Sequence, residues 1–570
     1  MEPRQHLIRV LRDKANATLL RISLGPSGPL LGLTAADLAR RSAELVAPHR
    51  AARLQRPVLL LLPHSPELFL LHLGFVLHEA CPAILPFPTT RIDPEKYQRN
   101  LLYQLRQLPA GGLVTIPELA ANLAPHLPYP VSSCSVAQAR SFHSLFDRKF
   151  SLDAFSDMPT TPAPRASPPH DAAFLQFSGG TTGAQKAVAV TGCMLEAQLS
   201  RLAAALHLQD RDAVVSWLPM YHDMGLIACF WLPLWFGLPS FQLAASDWLL
   251  CPESLFEFLD RYRGTLCWLP NFAFSYLAQR RPAMLGPFSL HHVRAWINCS
   301  EPVRLRSTRA FVDAFAEWGV RPAQIQASYA MAETVFAVTQ SPLAGNPLTV
   351  PRAQVFANHS ASLAYNLLDD VFVSSGPPLP DTQLRIIRDG AVCPDFQAGE
   401  IQLRTPSLFS GYWGPEGFRT DCFTADQWYA TGDYGFLDQG HLYVIGRIKD
   451  IIIVGGQNVF PEDVEALANT VPGVYPGRAV AFGLDDESLG TQSLALVAEM
   501  RGDYSSQSAE SIEAAIRRVV LTSLGIAPRR VLVVPERWIL KSTAGKISRR
   551  ETRDRFLLEA DSLSLAAEPR

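Results

Sequence analysis

The sequence predicts an α/β protein. A large N-terminal domain of mostly parallel sheets with flanking helices and a β-rich subdomain precedes a small C-terminal α+β lid domain. Three observations carry this expectation. Short apolar runs alternate with helical patterns through the first half of the chain, as in a parallel sheet covered by helices. Polar clusters recur at the ends of four of those runs, where ligands sit in open α/β sheets. A compact polar joint, Gly446-Arg447-Ile448-Lys449-Asp450, then closes a β-rich stretch and leaves about 120 residues, enough for a small domain. The boundaries expected are 1–446 for the large domain, 447–450 for the joint and 451–570 for the lid.

Composition narrows the function classes. The chain has 570 residues, 48% hydrophobic and 18% charged, which suits a globular protein with large buried sheets and more than one domain. A net charge of −2 gives no footprint for nucleic acid. Nine scattered cysteines contain no C-x-x-C pair and no Cys/His cluster, which argues against zinc and disulfides and suits a reducing cytoplasm. The opening residues read as an amphipathic helix, because no apolar signal-peptide core follows them. Met224 to Phe241 carries no charge, but Pro233 and Pro239 interrupt it. It reads as a buried helix and loop, so no transmembrane segment is expected.

In order, Leu31 to Val46 reads as a helix with Thr34 as its N-cap. Pro57 to Leu62 is a buried strand, Pro66 to Leu77 an apolar helix, and Pro82 to Pro88 a strand and turn. Ser151 to His170, rich in Pro, Ser, Thr and Asp, reads as a surface connection. Met194 to Leu206 is a helix, and Ala213 to Leu218 a strand that delivers Pro219-Met220-Tyr221-His222-Asp223-Met224-Gly225. Strands at Thr265 to Pro270 and Val293 to Cys299 end on Asn271-Phe272-Ala273-Phe274 and Ser300-Glu301-Pro302. A helix from about Leu305 to Trp318 leads to a strand at Gln324 to Ser328. Ala344 to Ser374 is irregular. Strands follow at Gln383 to Ile387 and Glu400 to Leu403, then a hairpin about Asp438-Gln439-Gly440. In the lid, strands near Ile451 to Val454, Arg478 to Phe482 and Leu494 to Glu499 are covered by helices at Pro461 to Ala468 and Ser511 to Leu524.

The most informative stretch runs from Leu175 to Val190. Its centre, Ser178-Gly179-Gly180-Thr181-Thr182-Gly183, packs three glycines and three hydroxyls into six residues between two buried strands. Glycines let backbone N–H groups converge on an anion, hydroxyls add donors, and Lys186 adds charge. An ordinary hairpin turn rarely needs that composition. A Walker A loop would place Lys next to Gly and open a helix, which is not the pattern here.

This loop resembles the phosphate loop of the adenylate-forming enzymes, with Gln185-Lys186-Ala187 where those enzymes carry Pro-Lys-Gly. Further motifs follow in the order of that group. Trp217-Leu218-Pro219-Met220-Tyr221-His222-Asp223-Met224-Gly225-Leu226 resembles the signature of its fatty acyl-AMP ligase branch. Pro270-Asn271-Phe272-Ala273-Phe274 is similar to P-N-F-A-Y, and Ser300-Glu301-Pro302-Val303 to the end of G-A-E-P-V. Ser328 to Glu333 is similar to S-Y-G-x-A-E, with Ala330 in place of Gly. Tyr429-Ala430-Thr431-Gly432-Asp433, Gly446 to Asp450, Gly456 to Glu465 and Lys541 to Lys546 resemble the motifs Y-x-T-G-D, G-R-x-K-D, G-x-N-x-Y-P-x-D-x-E and K-T-x-x-G-K.

The resemblance implies attack of a carboxylate on the α-phosphate of ATP, giving an acyl adenylate and pyrophosphate. Nucleotidyl transfer is mostly positioning and charge neutralisation. By this resemblance Ser178, Gly179, Gly180, Thr181, Thr182, Gly183 and Lys186 bind the phosphates. Ser300, Glu301 and Tyr329 line the adenine, Tyr329 by stacking. Asp433 accepts the ribose hydroxyls and Arg447 contacts ribose or phosphate. Glu333 is a hard donor for Mg²⁺. Lys546 bridges the carboxylate and the α-phosphate. His222 joins the catalytic set as a positioning group near the acyl pocket, and Lys449 is the hinge. Taken singly, Asp433 also reads as a turn aspartate, Glu333 as a helix-start acid, Lys546 as a solvated lysine and His222 as a buried histidine. The ordered set reverses those odds. Ala187, Ala330, Gln185 and the Cys299-Ser300 pair depart from the pattern without removing a charged group.

The implied substrate is a carboxylic acid, a fatty acid by the branch, with ATP and Mg²⁺. The aromatic run Phe230 to Phe241 and Trp268 suggest an apolar pocket. The implied acceptor is the phosphopantetheine thiol of an acyl carrier protein in trans, since Asp561-Ser562-Leu563 lies too near the last residue for a carrier fold. Arg517, Arg518, Arg529, Arg530, Arg549 and Arg550 offer either a face for an acidic carrier or a solvated basic surface. The branch carries an insert that restricts domain rotation, and Ala344 to Ser374 is its expected place. The alternatives are an acyl- or aryl-CoA ligase and a degenerate, non-catalytic adenylate-binding protein.

Overall fold

The computed structural model describes residues 3–25, 28–52, 54, 56–88, 97, 101, 104–105, 110–136, 169–178, 186–356, 371–414, 417–486, 491–502, 506–541 and 547–565. Two eight-stranded sheets form the larger part. The first runs Ala337–Gln340, Ile325–Ala330, Ala295–Cys299, Leu266–Pro270, Val214–Ser216, Ser240–Gln242, Thr18–Ser23 and Leu30–Thr34. Its inner pairs are parallel and its two edge pairs antiparallel. The second runs Gly417–Arg419, Tyr412–Gly414, Lys186–Thr191, Ala172–Ser178, Pro82–Ile84, Val58–Leu61, Gly112–Thr115 and Val131–Ser133. Strands such as Val58–Leu61 are buried at every position because helices cover both faces. Each such leucine contributes roughly 1.5–3 kcal/mol by leaving water. The α/β architecture is the one the alternating pattern predicts.

Local signals account for many boundaries. Ser65 caps the helix Pro66–Leu77 through Leu68 N–H, and Pro66 occupies the first turn, where its missing N–H costs nothing. Thr34 caps as expected: Thr34 and Asp37 exchange side chain-to-backbone hydrogen bonds. The helix it starts is Ala35–Ala51, however, not Leu31 to Val46. Leu30–Thr34 is a strand, because it pairs antiparallel with Thr18–Ser23. The uncharged stretch after Asp223 is a π-helix over Met224–Trp231, buried at every residue, then the helix Leu232–Phe236 and the strand Ser240–Gln242. Among the described residues no helix is long and apolar enough to cross a membrane.

A five-stranded antiparallel sheet, Ala391–Val392, Gln383–Arg388, Gly399–Arg404, Tyr429–Asp438 and His441–Arg447, makes up the β-rich part. The run expected to be irregular carries a strand pair, Thr349–Pro351 with Val371–Val373, and a helix at Arg352–Phe356; residues 357–370 lie outside the described residues. Most of Ser151 to His170 lies outside them too.

After Arg447 a short turn, Ile448–Asp450, leads to the strands Ile452–Val454 and Gln457–Val459 and the helix Pro461–Ala468. A three-stranded sheet follows, Val474–Asp486, Thr491–Met500 and Arg530–Val534, its last pair parallel. The helices Ser506–Leu524 and Arg549–Leu565 cover it. The strand Arg530–Val534 and the last helix were not among the expected elements. Residues from Ile452 to Val533 gather a hydrophobic cluster of their own. A second cluster joins Phe460 to Val350, Phe372, Phe436 and Tyr443 from the preceding part of the chain.

Candidate active site

The hairpin Ala172–Ser178 and Lys186–Thr191 holds the glycine-rich segment. Ser178, nearly buried, is the cross-strand partner of Lys186, so both ends of that segment meet at one hairpin mouth. Gly179, Gly180, Thr181, Thr182 and Gly183, with Gln185, lie outside the described residues. Ala187 packs in the core opposite Trp413, which gives its extra methyl a place. Lys186 Nζ stands 4.2 Å from the centre of the Tyr412 ring.

Tyr329, Asp433 and Arg447 form one group. The Tyr329 hydroxyl donates to Asp433 Oδ2 at 2.6 Å, and Arg447 Nε lies 3.2 Å from Asp433 Oδ1. Strand register creates the second contact, since Asp433 and Arg447 face each other across the hairpin Tyr429–Asp438 and His441–Arg447. Thr431 Oγ1 accepts from Asp433 N–H at 3.0 Å and tightens the turn before the acid. Burial, with Asp433 beside it, pushes the Tyr329 phenol well above its ordinary range. Tyr329 is therefore a buried donor that caps Asp433.

Glu333 lies in a short turn, Ala332–Thr334, directly after the strand that ends at Ala330. Gln176 on the hairpin donates to Ala332 O at 2.9 Å and Val335 O at 2.8 Å, which clamps this turn to the glycine-loop strand. Tyr412 Oη donates to Glu333 Oε1 at 2.6 Å, and the hydroxyls of Tyr412 and Tyr429 are 3.1 Å apart. Burial raises the Glu333 carboxyl above its ordinary value; the Tyr412 hydrogen bond pulls it down and the charge of Asp223 pushes it up. Asp223 belongs to the next group. Its Oδ1 lies 2.5 Å from His222 Nδ1 and accepts from Met224 N–H at 2.8 Å, opening the π-helix. Gly225 is required there: a Cβ would sit 2.3 Å from Pro219 O.

Ser300 and Glu301 follow the strand Ala295–Cys299. Ser300, at φ 75°, touches Met224 Sδ at 3.9 Å. Glu301 Oε2 accepts from Phe272 N–H at 3.0 Å and caps the helix Asn271–Arg280. The aromatic run packs into the core: Phe230 and Trp231 pack around His72, and Trp231 stacks on Phe174 with ring centres 5.9 Å apart. Trp268 is fully buried.

Lys449 follows Arg447 in the turn Ile448–Asp450. Desolvation, then the charge of Arg447, lowers its ammonium to about 8, and the charges of Lys186 and Asp433 also act on it. It therefore stands near the site as well as at the joint. Lys546 lies outside the described residues, but its segment is closed at the base by a bridge between Lys541 and Ile547 and by Ser548 N–H donating to Leu540 O at 2.8 Å. Arg549 corrects one expectation. It is not a surface cation but binds Asp450 at 2.9 Å, Glu462 at 3.2 Å and Glu465 at 2.9 Å.

Sequence reasoning missed Tyr412, Gln176, Arg549 as a clamp, and Asp463, which pairs with both Arg304 and Arg352. The only local signal for Tyr412 was its place in Ser410-Gly411-Tyr412-Trp413-Gly414, a glycine-flanked aromatic pair.

Comparison with known proteins identifies the family. The AMP-binding enzyme family matches residues 34–413. A putative ligase of Mycobacterium tuberculosis is 35% identical over 386 residues, 66% of this chain and 71% of the relative. A medium-chain-fatty-acid–[acyl-carrier-protein] ligase of Moorena producens is 28% identical over 407 residues, 68% of each chain. A solved structure from a study of fatty acyl-adenylate ligases of E. coli and L. pneumophila shares the fold, with a TM-score of 0.79 and 23% identity over 98% of both chains. With the family match spanning well over half of the chain, the protein belongs to the AMP-binding enzymes.

Proposed function

We propose that the protein activates a fatty acid with ATP and passes the acyl group to the phosphopantetheine thiol of a carrier protein supplied in trans. In the first step a carboxylate oxygen bonds to the α-phosphorus, the bond to the β-phosphate breaks and pyrophosphate leaves. In the second, the thiolate attacks the acyl carbon and AMP leaves. The observation that carries the reading is two buried acids set among cations. Asp433 lies against Arg447, Glu333 feels the charge of Arg447, and Lys449 feels Lys186, Arg447 and Asp433. That layout suits a nucleotide, with an acid for the ribose and cations for the phosphates.

Each residue has a role in this reading. Ser178 through Gly183 and Lys186 hold the phosphates. Asp433 takes the ribose hydroxyls, with Tyr329 and Arg447 fixing its plane. Ser300 and Glu301 shape the adenine side, Glu301 by holding the helix Asn271–Arg280. His222, tied to Asp223, positions the acyl end, and Lys546 bridges carboxylate and α-phosphate. Among the described residues no group of three or more His, Cys, Asp or Glu can hold a metal. One hard carboxylate, Glu333, fits Mg²⁺ that arrives with the phosphates and keeps its waters. Bound there, the ion supplies charge neutralisation at the phosphates.

Residues 447–450 act as the hinge between 1–446 and 451–570, and the 344–374 run restrains it through Arg352. The activity in the name of the Moorena relative supports a carrier as acceptor. The nine cysteines form no disulfide, which supports a reducing, cytoplasmic setting.

The test is acid-dependent pyrophosphate release across short, medium, long-chain and aryl acids, for wild type and Lys546→Ala. Turnover on fatty acids that falls roughly 100-fold or more in the variant, with acyl groups recovered on a carrier, is expected. Acyl-CoA as the sole thioester would refute the carrier assignment. ATP binding without turnover on any acid would refute catalysis.

A further inference from the structure

The hairpin Tyr412–Gly414 and Gly417–Arg419 extends the sheet that carries the glycine-rich segment. Its register is the key fact. Tyr412 pairs with Val188, two residues beyond Lys186, so Tyr412 and Lys186 emerge on the same face of the sheet as diagonal neighbours. That register puts the ammonium of Lys186 over the Tyr412 ring, 4.2 Å from its centre. The far end of the same side chain reaches two other elements. Its hydroxyl donates to Glu333 Oε1 at 2.6 Å and lies 3.1 Å from the hydroxyl of Tyr429, the first residue of the strand that carries Asp433. Phe409 N–H donates to Glu333 O at 2.9 Å, so the segment that delivers Tyr412 also grips the backbone of Glu333. One side chain thus touches the phosphate-loop lysine, the candidate metal carboxylate and the strand of the ribose acid.

We propose that Tyr412 is a positioning residue for adenylation. Its hydroxyl fixes the plane of the Glu333 carboxylate for a divalent cation, and its ring holds Lys186 toward the phosphates. The inference rests on the adenylation reading above and assigns it a residue whose side chain carries no charge. A carboxylate that ligates a metal works best when its orientation is set by a hydrogen-bonded neighbour, and loss of such a neighbour typically costs 10–100-fold in metal affinity or activity. Ring and hydroxyl serve different partners, so two substitutions separate them. Tyr412→Phe keeps the support under Lys186 and removes the hydrogen bond to Glu333. Tyr412→Leu removes both.

The experiment measures ATP binding by calorimetry at a series of Mg²⁺ concentrations, Mn²⁺ binding in the presence of ATP by electron paramagnetic resonance, and fatty-acid-dependent pyrophosphate exchange. AMP binding without metal is the control. For Tyr412→Phe, about a 10–100-fold rise in the Mg²⁺ concentration that supports half-maximal ATP binding is expected, with Mn²⁺ affinity falling in parallel and AMP affinity unchanged. For Tyr412→Leu, ATP binding measured without metal weakens as well. Wild-type metal dependence in Tyr412→Phe overturns the proposal, as does an equal loss of AMP and metal-dependent ATP binding, which marks a purely structural residue. Tyr429→Phe serves as a second variant. It leaves the Tyr412–Glu333 hydrogen bond in place and is expected to move the Mg²⁺ dependence less than Tyr412→Phe; a larger effect moves the positioning role to Tyr429 and overturns the proposal. Absence of exchange in the wild type defeats the adenylation reading, while the metal and ATP titrations still decide on Tyr412.

Discussion

Replacing Asp463 by Asn tests how the C-terminal part is held. Asp463, third residue of the helix Pro461–Ala468, is buried and faces two arginines from the large part of the chain. Arg304 Nη1 lies 3.2 Å from Oδ1, and Arg352 Nη2 binds Oδ2. Arg352 is itself buried, its guanidinium 4.4 Å from the centre of the Phe372 ring, while the Arg304 side chain keeps 23% of its exposure. Rotation about the proposed hinge at 447–450 would have to break both ion pairs and pull Phe460 from its cluster with Phe372 and Phe436. Breaking a buried pair from one side costs about 3–5 kcal/mol. Asn keeps an acceptor oxygen and Arg304 remains partly hydrated, which brings the expected cost to about 2–3 kcal/mol. That corresponds to a roughly 30–150-fold rise in the undocked population. The assay is limited trypsin digestion at Arg447 and Lys449, with small-angle scattering to follow the overall dimensions. Cleavage within 447–450 should accelerate by about that factor in Asp463→Asn, and Arg352→Met should act in the same direction. An unchanged cleavage rate and radius in both variants would refute the clamp.

Two further outcomes follow from the core. His72 is fully buried, accepts from Trp231 Nε1–H at 3.2 Å, and is held down to about 3 by burial. A base with a lowered pKa contributes stability above its ordinary value of about 6.5 that is lost as pH falls toward 3. Denaturant unfolding between neutral pH and pH 4 should therefore show a smaller acid-side loss in His72→Phe than in wild type, although the variant loses about 1–2 kcal/mol at neutral pH because Trp231 has no acceptor; identical acid limbs would exclude the effect. Gly225→Ala forces a methyl to within 2.3 Å of Pro219 O and 2.9 Å of Leu218 O, both backbone atoms that cannot swing away. A loss of about 2–3 kcal/mol is expected, read as a lowered melting temperature, and a variant as stable as wild type would contradict the packing.

Much of the fold was legible because its signals are local. The cap at Ser65, the proline after it and the apolar run to Leu77 lie within one short segment, and the helix there has the expected bounds. Thr34 was legible as a cap for the same reason. Leu31 to Leu33 was misread as helix because those residues become a strand only by pairing with Thr18–Ser23, and no feature of the three residues specifies that partner. Arg549 looked like part of a basic surface, since a sequence shows a charge but not the three carboxylates that close around it.

By itself the sequence supplied the candidate inventory of the site: the glycine-hydroxyl loop with its lysine, the acids Glu333 and Asp433, the His222-Asp223 pair and the order in which they occur. Those candidates rest on the resemblance of short motifs, each readable within a few residues, to the adenylate-forming enzymes. Tertiary structure alone decided which groups meet. Tyr412 reaches Glu333 across 79 positions, Tyr329 reaches Asp433 across 104, and Arg352 reaches Asp463 across 111. The physical reason is that a helix cap or an apolar period is satisfied within a few residues, whereas a buried charge takes its partner from whichever strand the register brings beside it. A shift of one residue in the pairing of Tyr412 with Val188 would turn the tyrosine to the other face of its sheet and separate it from Lys186.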